Sequence, residues 1–248
     1  MRVLVTGSAG FVGQAVMEIL AQEHQVRGFD ITPTPGATDQ VVGDIADFAT
    51  VTKAMDGIEA VVHLAMAGGE HAYETPELPM RVNVRGAANV LEAARRAGIQ
   101  RVVHMSSGAV ITGYSRDTFI HVELPYKFSG MYCLTKALQE HLCRQYAVEY
   151  GMTIVALRPW SVVDGCTMTH KNGQPVTYNH GYMGLVSRDD LGHACNLGLR
   201  ANLVGFQPFH IMATDEAEPW FDMERTHRIL GWYPNHTFVS LKTQSSGS

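Results

Sequence analysis

The sequence predicts an α/β protein built on a doubly wound parallel sheet, and three observations lead there. Short β-branched runs alternate with longer stretches of helical periodicity along most of the chain, which is the signature of a parallel sheet layered with helices. The runs are apolar at nearly every position rather than at every second one, as strands covered on both faces must be. A glycine pattern, G-x-x-G-x-x-G at Gly7, Gly10 and Gly13, links the first strand to the first helix, the place where such sheets receive phosphates.

Taken in order, RVLVT opens the sheet and FVGQAVMEILAQ follows as an amphipathic helix. VRGFD, QVVGD and EAVVHLA read as the next three strands, and RVNVRGAANVLEAARRAG as a long helix. RVVHMSS is a strand, SGMYCLTKALQEHLCRQYAVEYG a second long helix, and TIVALRP the last clear strand of the sheet. Two stretches, 32–39 and 164–184, are rich in Gly, Pro, Thr and Asn and read as loops. The second begins a smaller C-terminal part that contains the helical stretch SRDDLGHACNLGLR. We therefore expect a nucleotide-binding Rossmann-type domain over 1–163 and a small substrate cap over 164–244. Residues 245–248, SSGS, should be a frayed tail. The two parts should pack as one body, since α/β folds run to ~200–250 residues as a single unit.

Composition narrows the partners. Of 248 residues, 46% are hydrophobic and 17% charged, enough to build a core and too little charge for a disordered chain. The net charge is -5 and no basic run occurs, so neither nucleic acid nor an anionic membrane surface is an expected partner. No apolar stretch reaches the ~18 residues of a membrane span, and no targeting segment is expected at the N-terminus. Four cysteines without a Cys-x-x-Cys suit a reducing cytoplasmic setting. Twelve histidines form no His-Glu-x-x-His and no tight cluster with cysteine along the sequence, so no metal is expected.

The glycine loop makes specific demands. Glycine permits the tight turn, lets backbone approach a pyrophosphate, and lets the helix pack close to the strand. Gly7, Ala9, Gly10, Phe11, Val12 and Gly13 are therefore candidate cofactor contacts. Asp30 ends the second strand, 20 residues past Gly10, where a carboxylate accepts hydrogen bonds from an adenosine ribose. No Arg or Lys follows it in ITPTPG to meet a 2′-phosphate, so NAD is expected over NADP. Asp44 and Ile45 stand where they would bracket an adenine, although Asp44 or Asp47 reads equally well as a helix N-cap. Leu64 and Ala65 follow the fourth strand, and the small residues there would let backbone approach the nicotinamide side. His63 reads as structural.

Tyr132 and Lys136 stand four apart on the second long helix and so share a face. A free phenol titrates near ~10, and a neighbouring ammonium is what could bring it toward the working range of a general base. Ser106 and Ser107 supply a hydroxyl at the end of the preceding strand.

TGSAGFVG, Asp30, HLA, NVRGAANVLEAA, VVHMSSGAV, Tyr-x-x-x-Lys and ALRP, in this order, resemble the extended short-chain dehydrogenase/reductases of the NAD-dependent epimerase/dehydratase type. The resemblance covers about residues 1–163 and continues through SRDDLGHA and RTHRILGWYP toward uronate dehydrogenase-like members. It implies Tyr132 as general base, Lys136 as ribose-binding and pKa-lowering lysine, and Ser107 as substrate-binding hydroxyl, with Ser106 as the alternative. The segment SSGAVITG is one residue longer before its glycine than the family's pattern, and counting back from Gly113 would put Gly108 where the serine belongs. Asn83 and the Arg158-Pro159 pair also match family positions, with helix-to-loop bonding and a structural strand end as their plainer readings.

The resemblance implies hydride transfer between NAD and a hydroxyl or carbonyl group. Gly108 and Ala109 stand where a sugar dehydratase would carry an Asp-Glu pair, which disfavours dehydration. Only 85 residues follow position 163, short for gripping a nucleotide-sugar, so a small sugar-like or hydroxy-acid substrate is expected. A small-sugar epimerase or reductase using the same site is the alternative, and a non-catalytic NAD sensor a third reading. Relative to uronate dehydrogenases, Gly68, Gly108 and His180 replace the pattern's serine, asparagine and arginine, and Ser161 in RPWS survives. Arg188 is the candidate carboxylate anchor if the cap turns it inward, and otherwise a helix-start charge beside Asp189 and Asp190. The family also implies a homodimer through the helices at 77–98 and 127–150.

Overall fold

A computed structural model describes every residue except 70, 116, 178–183 and 239–248, and leaves the side chain of residue 216 aside. Strand β1 (Arg2–Thr6) runs into α1 (Phe11–Leu20), followed by β2 (Gln25–Asp30), β3 (Gln40–Val42), α2 (Phe48–Ala54) and β4 (Ala60–His63). A continuous helical rod then passes from α3 (Glu77–Pro79) through a π-turn (Met80–Arg85) into α4 (Gly86–Arg96). After β5 (Arg101–Met105) come α5 (Met131–Tyr150), β6 (Thr153–Pro159), β7 (Ser161–Asp164), β8 (Thr169–His170) and β9 (Leu185–Ser187). The chain continues with α6 (Arg188–Arg200), β10 (Phe206–Ile211) and the short α7 (Met223–Arg225).

Seven strands form one parallel sheet in the order β10-β6-β5-β4-β1-β2-β3. The expected doubly wound Rossmann-type architecture is thus the observed one. The switch in strand order falls between β1 and β4, so the loops after them diverge and leave a crevice at the strands' carboxyl ends.

Both faces of the sheet are buried, and single strands feed both cores. Val3 and Val5 of β1 join the cluster under α1 and α6, while Leu4 between them joins the cluster under α2, α4 and α5. A continuous apolar run satisfies this arrangement where an alternating one would expose or bury the wrong groups.

Position 163 does not bound the sheet. Strand β10, FQPFHI, lies in the stretch expected as cap, yet it pairs with β6 as the seventh strand. Helix α6, from the same stretch, packs on α1, with Gly192 against Ile19. Pro208 blunts the strand signal in the sequence, and edge strands tolerate proline because one side of the ladder goes unused. The strands β8-β7-β9 form a second, separate three-stranded sheet. No helix among the described residues is long and apolar enough to cross a membrane.

Candidate active site

The cofactor cleft opens where β1, β2 and β4 end. It measures about 550 Å³ and is lined by Gly7, Ala9, Gly10, Asp30, Asp44, Ile45, Leu64, Ala65 and Gly68, among others. Gly7 has φ 74°, and a Cβ there would stand 2.8 Å from the Ala65 amide nitrogen. A Cβ on Gly13 would stand 2.0 Å from the Gly7 carbonyl oxygen. The loop is therefore folded back on α1 in a way only glycine allows. Phe11, Val12 and Gly13 form the first turn of α1 behind Gly10, and their amides have no partner within the helix. Such a cradle of free donors fits a pyrophosphate.

Asp30 accepts the Ala9 amide at 3.0 Å and the Thr32 amide at 3.2 Å, so this carboxylate and the glycine loop hold each other in place. Asp47, not Asp44, caps α2, accepting the Ala49 amide. Asp44 lines the cleft, accepts the Ala46 amide at 2.9 Å, and pairs with Arg81. Burial alone would raise its carboxyl, but that amide and Arg81 hold it below the usual carboxylate range. Ile45 is buried against Gly86, where a Cβ would stand 2.8 Å from its side chain.

Asn83, expected among the cofactor contacts, is buried and bonded between helix and loop. Its Oδ1 accepts the Ala67 amide at 2.7 Å, and its Nδ2 donates to Thr135 at 2.9 Å and Tyr73 at 3.3 Å. The amide is spent on tying the 64–73 loop to α5. His63 is likewise structural: it is buried, sits 2.7 Å from the Thr6 hydroxyl, and burial pushes its pKa down to about 3.

Helix α5 carries the reactive-looking groups on one face. Lys136 is buried and donates to the Met105 carbonyl at 2.8 Å, at the end of β5. Burial lowers its pKa to about 8, opposed by the nearby Glu140. Tyr132 stands one turn earlier; its ring meets Tyr73 edge-on at 5.3 Å between centroids. Burial raises the Tyr132 phenol above its ordinary value, and the neighbouring Ser107 hydroxyl offsets part of that rise. Besides burial, the groups acting on Tyr132 are Ser107, which lowers it, and Tyr73 and Cys133, which raise it.

The two serines part company at the end of β5. Ser107 adjoins Tyr132 and also caps a 3-10 turn, accepting the Ala109 amide at 3.1 Å. Ser106 turns to the other side and donates to Glu140 at 2.5 Å. Glu140 in turn receives Arg158 on both oxygens, at 2.8 and 2.7 Å, and the Tyr126 hydroxyl at 2.9 Å. Arg158 is thus structural, holding the end of β6 to α5. Glu140 was missed, although it lies eight residues after Tyr132 and four after Lys136, on the same helical face.

On the substrate side, Gly68 faces open space, since a Cβ there would meet nothing within 4 Å. Gly108 lies against Trp160, whose ring would be 2.5 Å from a Cβ. Ser161 begins β7 beside that tryptophan and is half-buried. His180 falls outside the described residues. Arg188 is not held by its helix neighbours Asp189 and Asp190. It pairs with Asp164 at 2.8 Å and lies over the Phe11 ring at 5.2 Å, linking the end of β7 to the glycine loop. Tyr73, like Glu140, was not read from the sequence, because its place beside Tyr132 depends on a loop 59 residues away along the chain.

Residues 3–169 match the model of the NAD dependent epimerase/dehydratase family. A 3-beta-hydroxysteroid dehydrogenase from Mycolicibacterium neoaurum is 35% identical over 170 residues, which are 64% of this chain and 46% of that one. A uronate dehydrogenase from Pseudomonas putida is 33% identical over 162 residues, 63% of this chain and 59% of that one. The chain thus matches about half the length of these curated relatives. A solved structure of a variant uronate dehydrogenase from Agrobacterium tumefaciens, complexed with NAD, superposes with a TM-score of 0.83 at 26% identity. That alignment covers 99% of this chain and 88% of the other.

Proposed function

Because this chain belongs to the NAD-dependent epimerase/dehydratase family, we propose that it is a dehydrogenase for a hydroxyl group of a small sugar-like or hydroxy-acid substrate, with Tyr132 as proton acceptor. The cofactor is NAD. Gly7, Ala9, Gly10, Phe11, Val12 and Gly13 would hold its pyrophosphate, Asp30 its adenosine ribose, Asp44 and Ile45 the adenine end, and Leu64, Ala65 and Lys136 the nicotinamide side. When bound, it supplies the acceptor for hydride from the substrate carbon.

The observation that carries this reading is the divergence of Ser106 and Ser107, which leaves one hydroxyl beside the Tyr132 phenol. Ser107 orients the substrate oxygen, and Tyr132, as phenolate, takes the proton from that oxygen as the carbonyl forms. Lys136, fixed by the Met105 carbonyl, is a positioning cation behind them. Holding these groups at hydrogen-bond reach is what lets proton transfer accompany hydride loss.

A dehydrogenase is favoured over an epimerase by the small cap, since β8-β7-β9 is the only separate sheet among the described residues. A homodimer through α4 and α5 belongs to the same reading, supported by the exposed Leu134, Val148 and Tyr150 on α5. The deciding experiment mixes the protein with NAD and a panel of small sugars, uronic acids and hydroxy acids and follows NADH absorbance. Net NADH with one substrate class is expected. Conversion of a substrate with no net NADH would replace this reading with the epimerase.

A further inference from the structure

We propose that Cys166, Asp189 and His236 form a site of three protein ligands for a divalent ion of the zinc class, clipping the C-terminal segment to α6 and to the turn after β7. One ligand atom from each lies within 4.8 Å of the others, the one such group among the described residues. Nothing in the spacing of 166, 189 and 236 flags them, because they come from three separate segments.

Two of the three ligands, Cys166 and His236, are held from behind. The Cys166 amide donates to Asp164 at 3.0 Å, and the Thr167 amide to the same oxygen at 2.9 Å. Asp164 is itself anchored by Arg188. The backbone at 235 and 236 is gripped by the wholly buried Asp190, whose two oxygens accept the Asn235 amide at 2.8 Å and the His236 amide at 3.1 Å. The His236 ring places Nδ1 at 3.1 Å from the Ser187 hydroxyl and 3.3 Å from Asp190. That leaves Nε2 facing the Cys166 sulfur at 4.0 Å. A ligating histidine whose other nitrogen is engaged by a carboxylate is the usual outer-shell arrangement of a metal site. Gly165 completes it, since a Cβ there would stand 2.7 Å from the His236 ring.

The donor set decides the ion. Sulfur, imidazole nitrogen and carboxylate oxygen together suit zinc and its first-row neighbours, and disfavour magnesium or calcium, which prefer all-oxygen shells. Three protein ligands leave a fourth tetrahedral position for water. None of the three belongs to the Ser107, Tyr132 and Lys136 group. The consequence is therefore a tie between cap and body, made at the turn whose Asp164 holds Arg188 over Phe11 of the glycine loop.

The test uses chelator-treated full-length protein titrated with zinc alone by calorimetry, then with cobalt, whose thiolate charge-transfer band reports a cysteine ligand. One zinc per chain, a higher melting temperature with zinc, and that cobalt band are expected. Cys166→Ser, a change at an exposed side chain, should abolish the band and weaken zinc by at least the ~10–100-fold that loss of an outer-shell partner costs. His236→Ala should do the same, with circular dichroism checking its fold, while His71→Ala at the distant surface should leave binding intact. Zinc bound equally by wild type and Cys166→Ser, or a cobalt form without the thiolate band, would overturn the site.

Discussion

Arg158 and Glu140 form a wholly buried, two-pronged ion pair directly behind the end of β5, with Ser106 and Tyr126 completing the carboxylate's partners. Two charges out of water are tolerable only when every lone pair and proton is met, and removing one partner strands the other. Glu140→Ala should therefore cost about 3–5 kcal/mol, read by urea unfolding. A paired Glu140→Leu, Arg158→Met variant should lose less than the single change.

The same carboxyl sets an acid limit. Burial alone would raise it, but Arg158, Ser106 and Tyr126 hold it below its ordinary value in the folded chain. A folded value below the unfolded one means the stabilisation is complete above the unfolded carboxylate range near ~4.3 and is lost as pH falls through the folded value. Melting temperature should hold level from neutral pH down to that range and drop below it. A Glu140→Gln variant, already destabilised, should show a shallower acid drop.

Lys136 carries a linkage of the same sign in an alkaline window. Its pKa is lowered to about 8, chiefly by burial, so the unfolded chain binds more protons between about 8 and the ordinary lysine value near ~10.4. The lysine's contribution to stability should rise with pH across that window. Lys136→Met should be as stable as wild type or more so at pH 7.5, lose that advantage by pH 9.5, and bind NAD less well. Paired denaturant titrations at the two pH values, with calorimetric NAD binding, would check it.

Tyr132→Phe should fold and bind NAD normally yet lose about 10²–10⁴-fold in turnover, the range for a positioned proton-transfer group. Ser107→Ala should fall in the same range. Ser106→Ala should leave turnover nearly intact and lower stability instead, because its hydroxyl serves Glu140. Steady-state kinetics beside thermal melts separates the two serines; a larger turnover loss in Ser106→Ala would reverse the assignment.

Asp30 both lines the cleft and braces the glycine loop through the Ala9 amide. Asp30→Ala should therefore weaken NAD and also narrow its advantage over NADP, since the carboxylate would repel a 2′-phosphate. Calorimetric titration of both cofactors against both proteins measures the gap.

The sheet, its order of elements and the glycine loop were legible in the sequence because they rest on local physics. Apolar runs at every position mark two-sided burial, and Gly7 and Gly13 mark a turn that no other residue makes. That Tyr132 and Lys136 share a face followed from helical periodicity, while the roles expected of them came from the family resemblance. The irregular SSGAVITG segment resisted counting, because two alignments were equally good along the chain and only the direction of a side chain separates them. That direction was decided by Glu140 and Arg158, which draw Ser106 into the interior and leave Ser107 at Tyr132. Asn83, Arg188 and β10 were likewise settled by partners far away in sequence: the Ala67 amide, Asp164 with Phe11, and the open edge of β6. Periodicity and turn chemistry are properties of a few neighbouring residues, whereas a hydrogen bond or ion pair across the fold exists only once the chain has brought its two halves together.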